Sequence, residues 1–238
     1  MTDFNDSPPA EGAAHHFYAS RTRSEAPSTY WKKRRNVVDQ IKSLAEKVQT
    51  TALDSQELTR LEQQLADINT TLENHETLYG RKAWLASGRY GDQGVLHSES
   101  TSLIGPANVL SPDLNIWFNE AGQCEAVVEF NWLHEGNPSI CHGGFVAAVY
   151  DEFLGTAQVL SGKTGMTAYL TTNYFKPTPL NTQLSIRCTI DETDQRKTLM
   201  TAYMYDGEVQ LSSCEALFIT PRKKNDPFKD LADDAQPK

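Results

Sequence analysis

The stretch His142-Gly143-Gly144-Phe145-Val146-Ala147-Ala148-Val149-Tyr150-Asp151-Glu152-Phe153-Leu154-Gly155 decides how this chain is read. Two glycines after a histidine let the backbone approach another atom closely, and the Phe-Val-Ala-Ala-Val run continues as a helix with little polar surface on any side. Such a helix is expected inside a protein. Its first turn has unpaired N–H groups and a partial positive charge, so it can hold an oxyanion or a polarised carbonyl oxygen. Asp151 and Glu152 then interrupt the apolar run. A carboxylate on a mostly buried helix is costly without partners, which makes it a functional candidate.

The nine steps from His142 to Asp151 turn roughly 900° at about 100° per residue, so the two ends of the stretch face opposite ways. If the Gly143 N–H and the Asp151 carboxylate serve one substrate, they come from two copies of the helix lying antiparallel across a two-fold axis. An obligate dimer with two shared sites is the expectation.

Strand patterns flank the helix on both sides. Before it stand Leu114 to Asn119 and Gln123 to Trp132; after it, Thr167 to Lys176 ends at Pro177-Thr178-Pro179. Leu184, Ile186, Cys188 and Ile190 alternate with Gln183, Ser185, Arg187 and Thr189, and Leu199 to Tyr205 meets Val209 to Ile219 across Asp206-Gly207, a strong hairpin signal. Strands, one buried helix and a meander of four strands predict an α+β fold, an antiparallel sheet wrapped round the helix.

Towards the N-terminus the pattern changes. Val37, Ile41, Leu44 and Val48 form a heptad-like stripe, and Asp54 with Glu57 makes a capping pattern before a second stripe, Leu58, Leu61, Leu65, Ile68 and Leu72. The short break between them predicts an antiparallel helical hairpin over 28–80, each helix about 30 Å long, whose narrow stripes need a partner surface. Residues 1–27 read as a flexible tail, 81–107 as a linker that covers the mouth of the site, 108–222 as the sheet-and-helix body and 223–238 as a charged tail.

The combination HGG-x6-D followed by TAYLTTNYFKPTPL resembles the hotdog-fold acyl-CoA thioesterases, in the branch of the phenylacetate-pathway (PaaI-type) enzymes and the human thioesterase superfamily members. The likeness runs over roughly residues 103–220. It implies a hotdog fold, hydrolysis of an acyl-CoA to the free acid and coenzyme A, no cofactor beyond the coenzyme A of the substrate, and a homodimer or homotetramer. By this resemblance Asp151 is the carboxylate that activates water as a general base or attacks as a nucleophile. Gly143 is the oxyanion donor, Gly144 supports the same turn, His142 holds the loop, and Thr167 helps hold the water. Glu152, about 100° round the helix, is the runner-up acid.

The match is imperfect at two positions. Relatives carry an amide six residues before the histidine, where this chain has Gly136 with Asn137 beside it; some carry a threonine four residues after the carboxylate, where this chain has Gly155. Lys176, Arg222 and Lys223 are candidate partners of the coenzyme A phosphates. A hydratase of the same fold would pair the acid with a histidine five residues on, and that residue is Thr156.

Composition narrows the classes further. A net charge of −9 argues against a general nucleic-acid binder, and no apolar run approaches the eighteen or so residues of a membrane span, so a cytoplasmic protein is expected. Cys124, Cys141, Cys188 and Cys214 form no CxxC pair, and neighbouring Cys141 and His142 diverge, which disfavours metal binding and a cysteine nucleophile. The rival from another class is a non-catalytic acyl-CoA sensor or scaffold that uses the N-terminal helices to bind a partner.

Overall fold

The computed structural model describes residues 25–222. Of the expected tail over 1–27, residues 1–24 lie outside the described residues, as does the whole charged tail over 223–238, with Lys223. Five α-helices and six strands are formed among the described residues: α1 Thr29–Thr50, α2 Ser55–Glu73, α3 Gly80–Ser87, α4 Gln93–Ser100, β1 Asp113–Phe118, β2 Cys124–Glu129, α5 Gly143–Ala157, β3 Met166–Tyr174, β4 Gln183–Thr193, β5 Lys197–Asp206 and β6 Val209–Ile219. None of these helices is long and apolar enough to cross a membrane.

The strands make one antiparallel sheet in the order β1-β2-β4-β5-β6-β3, with α5 packed against it. Val146, Val149, Tyr150, Phe153, Leu154 and Ala157 of α5 meet inward-facing residues such as Ile116, Val128, Ile186, Met200, Met204 and Phe218. Alternation at period two explains the sheet's inner face, since Thr198, Met200, Ala202 and Met204 of β5 are buried while their neighbours are not. The β5–β6 turn is as tight as Asp206-Gly207 suggests, with Gly207 at φ +54° and Asp206 opposite Val209.

The expected meander of four strands is corrected to three. β3 does not pair with β4; it lies at the far edge against β6, and the chain crosses from Tyr174 to Gln183. The proline-bearing connection makes that crossing by docking on the loop before α5, where Ile140 bridges Pro179 and the Cys141 N–H donates to Thr178 O at 2.9 Å. β3 is therefore an edge strand, exposed along most of its length.

α1 and α2 form where their caps predict. Ser28 accepts from the Trp31 N–H, and Asp54 and Glu57 make a reciprocal capping box. The face of α1 that docks is not the stripe expected from its apolar spacing. Trp31 and Val38 are buried, Arg35 pairs with the buried Glu99 at 2.5 Å, Lys42 Nζ donates to Ser111 O at 2.7 Å, and Gln49 Nε2 to Trp132 O at 3.0 Å. These residues also recur at three-four spacing, but on a polar-aromatic face that a hydrophobicity scan passes over. The Lys32–Arg35 run is thus partly anchored, with Arg34 lying over the Trp84 ring at 4.5 Å.

The expected linker over 81–107 is helical instead. α3 and α4 are only eight residues each, too short to show a clear period, and they are held by tertiary contacts. Trp31, Leu96 and Ala107 form a second small core with Trp84, Leu85, Tyr90 and Val95 packed on it. This segment braces α1 and contributes no residue to the cleft at the start of α5.

Candidate active site

Helix α5 begins on a tightly tied loop. His142 is its N-cap: the His142 Nδ1 accepts the Gly144 N–H at 2.9 Å, and the His142 N–H donates to His134 O at 2.8 Å. An accepting Nδ1 puts the ring proton of a neutral His142 on Nε2. The loop itself closes through Gly136 N–H to Ile140 O and Ile140 N–H to Asn137 O, with Ser139 at φ +64°. Gly136 has no room for a side chain, because a Cβ there would sit 2.7 Å from His142 Cα.

A cleft of about 630 Å³ opens beside this helix start, lined by Asn137, His142, Gly143, Tyr174, Lys176 and Thr178 among others. No described residue accepts a hydrogen bond from the Gly143 N–H, whereas Gly144 has committed its own to His142. Tyr174 was not singled out from sequence. Its hydroxyl donates to Gly143 O at 2.6 Å, and a Cβ on Gly143 would lie 3.1 Å from its Cζ and Oη. The only hint in sequence is its place in the NYFKPTPL run, since the contact spans 31 residues.

Asp151 lies elsewhere on the same helix. Eight residues from Gly143 at 1.5 Å rise put it about 12 Å along the axis, outside the cleft lining. The Thr167 hydroxyl of β3 donates to Asp151 Oδ1 at 2.7 Å. A bulge in the β3–β6 ladder between Thr167 and Tyr169 re-aims the strand at this point. Asp151 is exposed in the single chain, which corrects the expectation of a helix enclosed on all sides. Gly144, Ala147, Ala148, Asp151 and Gly155 make an open face of mostly small residues. The sheet curls round only the opposite face, where the large residues are.

One chain therefore holds two separate groups: Asn137, His142, Gly143 and Lys176 at the cleft, and Asp151 with Thr167 at the edge strand. Glu152 is half-buried next to Asp151, and Arg222 is exposed beyond the end of β6. The cysteines are poor nucleophiles. Burial pushes the Cys141 thiol up to about 12 and the Cys188 thiol up to about 12, and the Cys141 Sγ contacts the His142 carbonyl, not its ring.

Beneath the loop, His134 is buried between Phe130 and Phe145, with its Nδ1 accepting the Asn131 N–H at 3.1 Å. Burial is the main cause that lowers its pKa from 6.5, Lys42 of α1 adds to that, and Glu46 opposes it. Below pH 6.5 the unfolded chain takes up a proton that the folded chain refuses, so this residue's contribution to stability is full above that pH and falls beneath it. Melting temperature measured from pH 7.5 to 5.5 is expected to drop more steeply for the native chain than for a His134→Asn variant. Parallel slopes would contradict this.

No family model matches the chain. Mouse acyl-coenzyme A thioesterase THEM4 is 33% identical over 102 residues, which is 42% of this chain and 42% of that protein. The match thus spans less than half the length of that relative. The crystal structure of a thioesterase superfamily protein superposes with a TM-score of 0.69 at 25% identity, over 84% of this chain and all of that one. That overlap reaches well N-terminal of the β1–β6 body and takes in helical residues. The E. coli PaaI protein superposes over 46% of this chain and 80% of its own, at 11% identity and a TM-score of 0.42. By its six-stranded antiparallel sheet packed on one central helix, and by the superposition at a TM-score of 0.69, the chain has the hotdog fold seen in a thioesterase superfamily protein.

Proposed function

We propose that the protein hydrolyses an acyl-CoA thioester to the free acid and coenzyme A, in a site completed by two copies of the chain. The observation that carries this reading is the Thr167–Asp151 hydrogen bond at the open edge strand. A hydroxyl that donates to Oδ1 orients the carboxylate and leaves Oδ2 to take a proton from water or to attack the thioester carbon. The charge that develops on the carbonyl oxygen needs a fixed donor, and the Gly143 N–H at the positive end of α5 suits it. The thiolate leaves as coenzyme A. Lys176 in the cleft wall, with Arg222 and Lys223, supplies positive charge for its phosphates, while Asn137 offers an amide to the substrate.

The acid and the oxyanion donor stand about 12 Å apart along one helix, too far to act on one carbonyl group. The unpaired edge of β3 and the small-residue face of α5 are both open for a second copy. Antiparallel pairing there would bring the Gly143 of one chain towards the Asp151 of the other and cover the exposed acid. Four cysteines, none in a disulfide, favour a reducing cytoplasmic setting.

Thiol release from short, long and aromatic acyl-CoA esters, run beside an Asp151→Asn variant, tests the reading. Release by the native chain alone supports it. Tight binding with no release from any ester would favour a non-catalytic acyl-CoA sensor. Within the enzyme reading, Tyr174→Phe removes one hydrogen bond to Gly143, worth about 1 kcal/mol, so kcat is expected to fall roughly fivefold with KM little changed. A changed KM at constant kcat would assign Tyr174 to substrate binding instead.

A further inference from the structure

α1 rests on the turn that carries the start of α5. Trp132–His134 form one turn of 3-10 helix after β2, and Gln49 Nε2 of α1 donates to Trp132 O at 3.0 Å. Two residues on, His134 O accepts the His142 N–H at 2.8 Å, which fixes the N-cap residue next to Gly143. The His134 ring is buried at the same place, edge-on to Phe145 in the first turn of α5 at 4.8 Å and to Phe130 at 5.6 Å. One residue thus holds the helix start by its backbone and packs against it by its side chain.

The turn holds its shape only while that ring is neutral. His134 Nδ1 accepts the Asn131 N–H at 3.1 Å, and Asn131 Oδ1 accepts the Leu133 N–H at 3.1 Å, so the turn is closed from both ends. A proton on Nδ1 sets two donors against each other and opens the turn. His134 O then shifts, and the His142 N–H with it. The charges that bear on the ring come from α1: Lys42 opposes protonation and Glu46 favours it. Lys42 is itself fastened to Ser111 O at 2.7 Å, so its charge is held in place. From the end of β2 and from α5 the neighbours are the uncharged rings of Phe130 and Phe145, and the His142 ring meets the same Phe145 at 6.4 Å.

We propose that His134 is a positioning residue for the Gly143 N–H, and that α1, through Lys42 and Glu46, controls its protonation and so the acid limit at which the start of α5 stays in place. The N-terminal helix is then a working part of the site, although it contributes no residue to the cleft. The proposal deepens the catalytic reading, in which Gly143 is the oxyanion donor, and rests on that reading for its effect on rate. The signs are fixed. Removing the Lys42 cation makes His134 easier to protonate, so the turn opens at higher pH; removing the Glu46 carboxylate makes it harder, so the turn holds to lower pH.

An NMR titration of the full-length protein from about pH 8 to 5, with glycine nitrogen and histidine ring carbon labelled, follows the Gly143 N–H and the His134 ring together. In Lys42→Gln both midpoints are expected to move up, and in Glu46→Gln both to move down, whereas Lys42→Arg keeps the charge and leaves them in place. The acid limb of kcat is expected to move in the same directions with KM unchanged. Because His142 stands next to Gly143, the displacement between variants is the readout, not the titration alone. A Gly143 midpoint that stays put while that of His134 moves overturns the proposal, as does a His134 midpoint that neither variant displaces. Should Lys42→Gln lose helicity by circular dichroism, Glu46→Gln decides alone. The NMR measurement needs no turnover, so the two readings fail separately: an inactive chain whose Gly143 midpoint still follows His134 loses the catalytic reading and keeps this one.

Discussion

Replacing Asp151 by Asn is expected to lower kcat by about 10²–10⁴-fold, the range a positioned general base contributes, while melting temperature and assembly stay unchanged. The structural side of this expectation is direct. Asn keeps the size of the side chain and an oxygen that can accept the Thr167 hydroxyl, so the 2.7 Å contact survives the change. Asp151 is exposed in the single chain and makes no buried ion pair, so the substitution removes no core interaction. It removes the one property the reaction needs, an oxygen able to take a proton or attack. Full thiol release by the purified variant would refute the assignment of Asp151. A variant inactive but also altered in mass would instead mean that the acid helps hold two copies together, which light scattering on the same sample would reveal.

Gly136→Ala is expected to be nearly as damaging by a different route. An added Cβ would lie 2.7 Å from His142 Cα and 2.9 Å from its Cβ, and backbone cannot step aside as a side-chain tip can. Relief requires moving the N-cap of α5, and with it the His142 N–H to His134 O bond and the Gly143 N–H. Overpacking of this kind costs about 1–3 kcal/mol of stability. Displacing the Gly143 N–H, the proposed oxyanion donor, by even about 1 Å would cost on the order of 10²-fold in rate. Denaturant unfolding and kcat measured on the same preparation check both halves. A variant as stable and as active as the native chain would mean that the loop has more freedom than its hydrogen bonds imply. This close approach explains why glycine stands at position 136, where two stretches of backbone cross.

Much of the fold was legible because its signals are local. The capping box at Asp54 and Glu57, the hairpin turn at Asp206-Gly207, the alternation that buries Leu184 and Ile186 of β4 and the apolar run after Gly144 each involve residues within a few positions of one another. The HGG-x6-D stretch likewise announced the start of α5 and an acid on it. Where a signal needed a longer window it failed. α3 and α4 are too short to show a period and exist because Trp84, Tyr90 and Leu96 pack on Trp31. The docking face of α1 is set by Glu99 and Ser111, more than sixty residues away.

The sequence by itself determined most of the segments that are helix or strand and put forward the residues proposed for the chemistry, because caps, periods and turn residues act over a few ångströms of chain. Only the tertiary structure decided where those residues meet. The crossing at Pro177-Thr178-Pro179 sends β3 to the sheet edge, which puts Thr167 on Asp151, Tyr174 on Gly143 and an open strand beside both. Such contacts join residues 16 and 31 positions apart through hydrogen bonds that no local pattern encodes.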